Sequence, residues 1–229
     1  MGKEGLKTPV LLIIFKRPST TEKVFEAIRA ARPEKLFIAA NAPRYADEHE
    51  KSLSEQARQI ATKIDWPCEL KTLFRVEYLS CKESISGAIN WFFENVEEGI
   101  IFEDDCLPDL SFFPFCEELL EKYRNDNRIM MISGDNFRKE AELSPYSYYF
   151  TRYNQIWGWA TWRRAWKLYD VNMSLWPEIK KQNYLFNVFE DSITTLNWSN
   201  TFDKVYNGEI DTWDYQHTFS CFINNGLSI

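Results

Sequence analysis

The first part of the chain alternates two patterns. The runs "PVLLIIF" (9–15) and "KLFIAA" (35–40) are continuously apolar, strand-sized, and lack the alternation of a strand with one wet face. They therefore predict strands covered on both sides. Between them, "STTEKVFEAIRAAR" after Pro18 is amphipathic and opens with hydroxyl residues able to cap a helix. Residues 47–64 read as a second helix, "CELKTLF" as a third strand, 81–96 as a helix ending near Gly99, and "GIIFEDD" as a strand. A helix over 110–123, started or interrupted at Pro114, and a strand over 128–134 complete this part.

Strand and helix in regular succession predict an α/β fold, a Rossmann-like open sheet that is mostly parallel and flanked by helices. Beyond residue 140 the text changes to "SYYFTRYNQIWGW", aromatic and irregular, and then to helix-like stretches at 160–168, 192–206 and 211–223. No repeat, low-complexity tract or linker interrupts it, so residues 1–229 are read as one domain, with 1–140 as one half and 141–229 as an elaborated second half.

Charge and composition narrow the function. A net charge of −7 repels a polyphosphate backbone and argues against nucleic acid as the main ligand. No apolar run approaches the roughly 20 residues needed to span a bilayer, and neither end reads as a signal peptide. Five cysteines without a CxxC pair suit reduced thiols. The expectation is a cytoplasmic protein without a transmembrane segment, free or peripheral at the inner face of the membrane. Only His49 and His217 could complete a zinc cluster, and neither is spaced with a cysteine to do so.

Two acidic segments carry the candidate chemistry. Glu103, Asp104 and Asp105 end an apolar strand, and open α/β sheets bind ligands at the carboxyl ends of their strands. If strand geometry persists, Glu103 and Asp105 share one face and Asp104 takes the other. A divalent cation such as Mn²⁺ or Mg²⁺ would relieve their repulsion and bridge them to a diphosphate, although a solvated turn explains many acidic triplets. In "EIDTWDYQHTF", Asp211, Asp214 and His217 recur every three residues, which predicts one shared helix side, with Trp213 beside them for stacking on a sugar. A solvated acidic face is the alternative there. Neither a P-loop nor a G-x-G-x-x-G fingerprint is present.

Five ordered blocks, "IIFKRP", "GAINWFFENVEEGIIFEDDCLPD", "MMISGDNF", "IWGWATWRRAWKLYD" and "DTWDYQHTFSCFINNGLSI", give the chain a family resemblance over nearly its whole length. It resembles the GT-A nucleotide-diphospho-sugar glycosyltransferases, especially the N-acetylglucosaminyltransferase of the N-glycan pathway. It is closer still to bacterial proteins of the hemolytic-protein-like branch. The resemblance implies a GT-A fold, with 1–140 binding the nucleotide-sugar and 141–229 facing the acceptor. It implies that Asp105 touches the metal, while Glu103 and Asp104 contact the nucleotide or support the site.

Arg17 after the first strand and Asn41 at the end of the second match positions that read base or ribose; a loop cation and a turn residue are the plainer alternatives. Lys82 falls near a nucleotide-contacting position, with a solvated helix-end lysine as its alternative. Asp214 matches the general base, with Asp211 as understudy. Trp157, Gly158 and Trp159 match a loop that walls donor from acceptor, for which aromatic core is an equally good explanation. His217 is structural or contacts the acceptor.

The implied activity is metal-dependent, inverting transfer of a sugar from a nucleotide donor, a UDP-sugar by family weight, to a hydroxyl of a glycan, lipopolysaccharide or lipid-linked acceptor. A metal-dependent nucleotidyl- or phosphotransferase and a noncatalytic carbohydrate-binding module are the rivals. The final "NNGLSI" reads as the start of a strand where members of the resembled family usually continue, so the resemblance implies either a truncated or a naturally short form, with completeness of the metal shell left open.

Overall fold

The computed structural model describes residues 5–44, 47–135, 137 and 145–229. The elements run in chain order as β1 (Val10–Ile14), α1 (Pro18–Ala31), β2 (Lys35–Ala40), α2 (Glu48–Ala61), β3 (Glu69–Phe74), α3 (Cys81–Asn95) and β4 (Glu98–Glu103). They continue as α4 (Phe112–Tyr123), β5 (Ile129–Ser133), β6 (Trp159–Trp162), α5 (Arg163–Trp166), α6 (Trp176–Lys181), α7 (Tyr184–Phe189), α8 (Ser192–Tyr206), α9 (Asp214–Ile223) and β7 (Leu227–Ser228). Among the described residues the strands form one seven-stranded sheet in the order β3-β2-β1-β4-β6-β5-β7.

The apolar runs become strands buried on both faces because alternate side chains feed two different cores. From β1, Val10, Leu12 and Ile14 join Leu36, Ile38 and Ala40 of β2 and Ile100 and Phe102 of β4 on one side. There they pack on Val24, Phe25 and Ile28 of α1 and on Phe113, Leu119 and Leu120 of α4. Leu11 and Ile13, with Phe37, Ala39 and Ile101, face the other side and meet Ile85, Ala88, Ile89 and Phe92 of α3. Each such buried side chain contributes about 1.5–3 kcal/mol relative to exposure, so burying both faces fixes strand identity far more firmly than propensity does. Helix α1 starts with Pro18 in its first turn and α3 with a Ser80–Glu83 capping box.

β1, β2, β3 and β4 pair in parallel, with Ile13 opposite Glu103, so the segments after β1 and β4 emerge side by side. The sheet is nevertheless mixed. β6 runs antiparallel to both β4 and β5, and β7 pairs in parallel with β5.

This corrects the helix expected over 160–168. In "WATW", Trp159 points to the α3 side while Ala160 and Trp162 point to the α1/α4 side, an alternation that four residues were too few to advertise. Only Arg163–Trp166 of that stretch is helical. Helices α6 to α9 close a third cluster around Trp176, Phe202, Phe219 and Phe222. Among the described residues no helix is long and apolar enough to cross a membrane.

Candidate active site

The parallel pairing of β1 with β4 brings Arg17 against the acidic triplet. The Asp104 carboxylate, almost fully buried, accepts the Phe15 backbone N–H at 3.1 Å and Arg17 Nη1 at 3.0 Å. Asp105, with half its side chain exposed, accepts the same Nη1 at 2.6 Å. Burial works against the Arg17 charge, but the two carboxylates outweigh it and raise its pKa. Burial also raises the pKa of Asp104, against the Phe15 and Arg17 contacts that favour its charged form.

Glu103 turns elsewhere. Strand β4 ends at this residue and Asp104 and Asp105 form a turn, so the alternation that would have set Glu103 and Asp105 on one face does not continue. Glu103 instead faces the start of α9. Burial, then the charge of Asp105, push its carboxyl up to about 7, with smaller contributions from Asp104 and Asp214 and an opposing hydrogen bond from Trp213. An acid cluster this crowded stabilises any cation that enters it.

The segment 211–217 behaves differently from its spacing. Helix α9 begins only at Asp214, so Asp211 lies outside it and the three residues do not share a helix side. Asp211 accepts the backbone N–H groups of Cys81 at 2.9 Å and Lys82 at 3.1 Å, pinning this segment to the N-terminus of α3. Asp211, expected as the understudy base, acts here as a helix-end anchor, with both carboxylate oxygens engaged by α3. Asp214 accepts the Thr212 hydroxyl and lies close enough to Glu103 to raise its pKa.

Trp213 is 3 % exposed and stacks on Trp159 at 5.7 Å, and Trp159 is itself 1 % exposed. His217 is buried among Trp159, Trp166 and Trp213, with Cys221 Sγ 3.9 Å from its Nε2. Burial lowers its pKa to about 4 and keeps it neutral. Trp159, Trp213 and His217 are therefore core residues: this is the structural alternative for His217 and the aromatic-core alternative for Trp159, and it corrects the expectation that Trp213 stacks on a sugar.

Asn41 and Lys82 lie on either side of the approach to α3. The Asn41 side chain accepts the N–H groups of Ala42 and Leu79 and donates to the Leu79 carbonyl, so it ties the end of β2 to the approach to α3 and is spent on backbone rather than on a base. Lys82 sits half-buried in the first turn of α3, its backbone N–H on Asp211.

On the α4 side of the sheet a cavity of about 890 Å³ opens at the carboxyl ends of β4 and β5. Trp157 and Gly158 line it, as the loop reading anticipated. Gly158 has φ of 83°, and a Cβ there would stand 3.2 Å from the Phe102 ring, so the turn into β6 needs glycine. Asp135, which was not picked out in the sequence, also lines the cavity; its carboxylate accepts the Trp157 N–H at 3.1 Å and burial raises its pKa. The available signal was positional, an acid just past the apolar run 128–134. Cys106 joins the two regions: burial, then the charges of Glu103, Asp105 and Asp135, push its thiol up to about 12.

Among the described residues no group of three or more His, Cys, Asp or Glu side chains is arranged as a ligand set for a metal ion. The donor types suit a hard cation: the Asp105 carboxylate is half exposed, and Glu103 holds a proton more tightly because of burial first and the charge of Asp105 second. Ions such as Mg²⁺ are commonly held by one or two carboxylates together with substrate phosphates. Compared with protein-family models and with curated proteins, the chain matches none.

Proposed function

We propose that this chain is a metal-dependent, inverting glycosyltransferase of the GT-A kind, moving a sugar from a nucleotide-diphospho-sugar to a hydroxyl of a glycan or lipid-linked acceptor. The observation that carries the reading is the meeting of three distant segments: Arg17 after β1, Glu103 to Asp105 at the end of β4, and Asp214 at the start of α9. These are the segments from which the resemblance expects nucleotide contact, metal contact and the base. The mixed sheet with helices on both faces supports it.

In this reading Arg17, charged at every working pH, would donate to diphosphate oxygens, and Asp105, with Glu103 nearby, would hold Mn²⁺ or Mg²⁺. When bound, the cation supplies positive charge that stabilises the departing nucleoside diphosphate. Asp214 accepts the proton of the acceptor hydroxyl. The hydroxyl oxygen forms a bond to the anomeric carbon, and the bond from that carbon to the diphosphate oxygen breaks, its electron pair leaving with the diphosphate. Thr212, hydrogen-bonded to Asp214, fixes the rotamer of the base.

Calorimetry with UDP and GDP, with and without Mn²⁺, tests the reading on wild type and Asp105→Ala. Metal-dependent nucleotide binding that the substitution abolishes is expected. Nucleotide binding indifferent to both metal and substitution sinks it.

A further inference from the structure

Arg17 is held by two carboxylates of unequal freedom. Asp104 is buried and also accepts the Phe15 N–H at 3.1 Å, so backbone as well as Arg17 fixes its place. Asp105 keeps half of its side chain in water. Its Oδ2 accepts Arg17 Nη1 at 2.6 Å, while Oδ1 meets the Cys106 thiol, a weak donor, at 3.8 Å. A single nitrogen, Nη1, thus bridges a fixed acid and an exchangeable one. The pair with Asp105 is the easier to break, because water screens an ion pair whose partners are both this exposed.

The carboxylate that Arg17 holds is also the one that a hard cation needs. A guanidinium and a divalent cation on one carboxylate repel each other, so the cation gains Asp105 at the expense of Nη1. Arg17 does not leave when this contact is lost. Asp104 still holds it, at the edge where β1 and β4 emerge side by side. Its released N–H groups are then free for an anion, and the planar fork of a guanidinium fits two oxygens of a phosphate. With the cation alone, two positive groups stand beside one another. A diphosphate bound to both relieves that repulsion, so each ligand makes room for the other.

We propose that Arg17 is an internal counter-ion that competes with the divalent cation for Asp105, and that its transfer from Asp105 to the diphosphate couples cation binding to nucleotide binding. The proposal rests on the glycosyltransferase reading and adds a regulation of that same site. It also separates Arg17 from two simpler roles. A permanent structural ion pair would leave the cation indifferent to the Arg17 charge, and an arginine that only binds phosphate would act on the nucleotide alone. A competing counter-ion acts on the two ligands with opposite signs.

Mn²⁺ binding to the whole chain, followed by electron paramagnetic resonance of the free ion, tests it on wild type, Arg17→Gln and Arg17→Lys. Arg17→Gln removes the charge and keeps a donor for Asp104. Without nucleotide it should bind Mn²⁺ about tenfold tighter than wild type, the effect of one unit charge removed from beside a divalent ion in a water-like dielectric. At saturating Mn²⁺ it should bind UDP about tenfold more weakly. Arg17→Lys keeps the charge and should bind Mn²⁺ within about threefold of wild type. Adding Asp105→Ala to Arg17→Gln should abolish the gain, and high salt should shrink it. Should Arg17→Gln lower the melting temperature, wild type alone decides: saturating UDP should tighten Mn²⁺ by at least about tenfold, after allowance for the ion that UDP itself binds, and equal affinity overturns the coupling. Mn²⁺ bound no tighter by a folded Arg17→Gln than by wild type overturns the competition; if wild type still binds UDP or GDP only with Mn²⁺, the glycosyltransferase reading stands without it. Mn²⁺ bound tighter by Arg17→Gln, with UDP and GDP binding neither form, overturns the coupling and takes the reading with it.

Discussion

The two acidic segments of this chain met opposite fates. Glu103, Asp104 and Asp105 are contiguous, yet the end of β4 sends them to two partners: Asp104 and Asp105 to Arg17, Glu103 toward Trp213. Asp211, Asp214 and His217 are spaced for one helix face, yet the helix starts too late to use the spacing. One of them anchors α3, one lies beside Glu103, and one is sealed in the core. In the first segment the acids stay within one electrostatic neighbourhood because adjacent parallel strands deliver both it and Arg17 to the same edge. In the second, periodicity conveyed nothing, since a period has meaning only inside the element that supplies it.

The largest effect that separates these fates is expected at Asp214. Asp214→Asn keeps the shape and the Thr212 contact while removing the basicity. It should lower kcat by about 10²–10⁴ with nucleotide binding unchanged, the range of a lost general base. A kcat within a factor of about three of wild type would return the second segment to a purely structural role, since that is far below any general-base contribution.

What could be read in advance divides along the same line. The runs 9–15 and 35–40 declared strands buried on both faces, because no wet-sided strand tolerates such continuity, and Leu11 and Leu12 indeed feed opposite cores. The placement of Glu103 to Asp105 at a strand end followed from this. β6 did not, because "WATW" is shorter than one helical window and runs straight into the helix-forming "RRAW". Asn41 and Trp159 illustrate a second limit. Their side-chain types suit ligands and cores equally, and only the backbone groups around Asn41 and the rings around Trp159 decide. Asp135 illustrates the reverse case: an isolated acid with no cluster around it in sequence gains its meaning from a cavity formed by segments more than a dozen residues away.

A somewhat smaller effect distinguishes His217 as a core residue from a substrate-contacting one. Its pKa is about 4 in the fold against an ordinary value of 6.5. Between these values the unfolded chain takes up a proton that the folded chain refuses, so the contribution is complete above the ordinary value and is lost as pH falls toward the lower one. The rings of Trp159, Trp166 and Trp213 and the thiol of Cys221 face the imidazole, and none of them supplies a counter-charge. From about pH 7 down to about pH 5, His217 should cost about 2 kcal/mol of stability. Urea unfolding of wild type and His217→Leu over that interval measures it: the variant should start lower, from altered packing, but decline less steeply. Parallel declines would mean that the imidazole reaches water, and the contrast between the two segments would weaken.

The smallest effect concerns Asp211, and it sharpens the comparison most finely because Asp211 and Asp214 are chemically alike and three positions apart. The two N–H groups that Asp211 accepts belong to the first turn of α3, where a carboxylate also interacts favourably with the helix dipole. Removing it with Asp211→Ala leaves those groups to water and should cost about 1 kcal/mol of stability, as lost helix-end partners usually do. Asp211→Asn retains an acceptor and should cost less. Because Asp211 acts on the reaction only by holding the Thr212–Asp214 stretch against α3, its asparagine variant should change kcat by well under the roughly hundredfold floor expected for the base itself. The pH profile of kcat should also keep its shape in Asp211→Asn, whereas Asp214→Asn should abolish the acidic limb. A loss of that limb in the Asp211 variant would exchange the roles of the two aspartates, making the α3 anchor the proton acceptor and leaving Asp214 as its support.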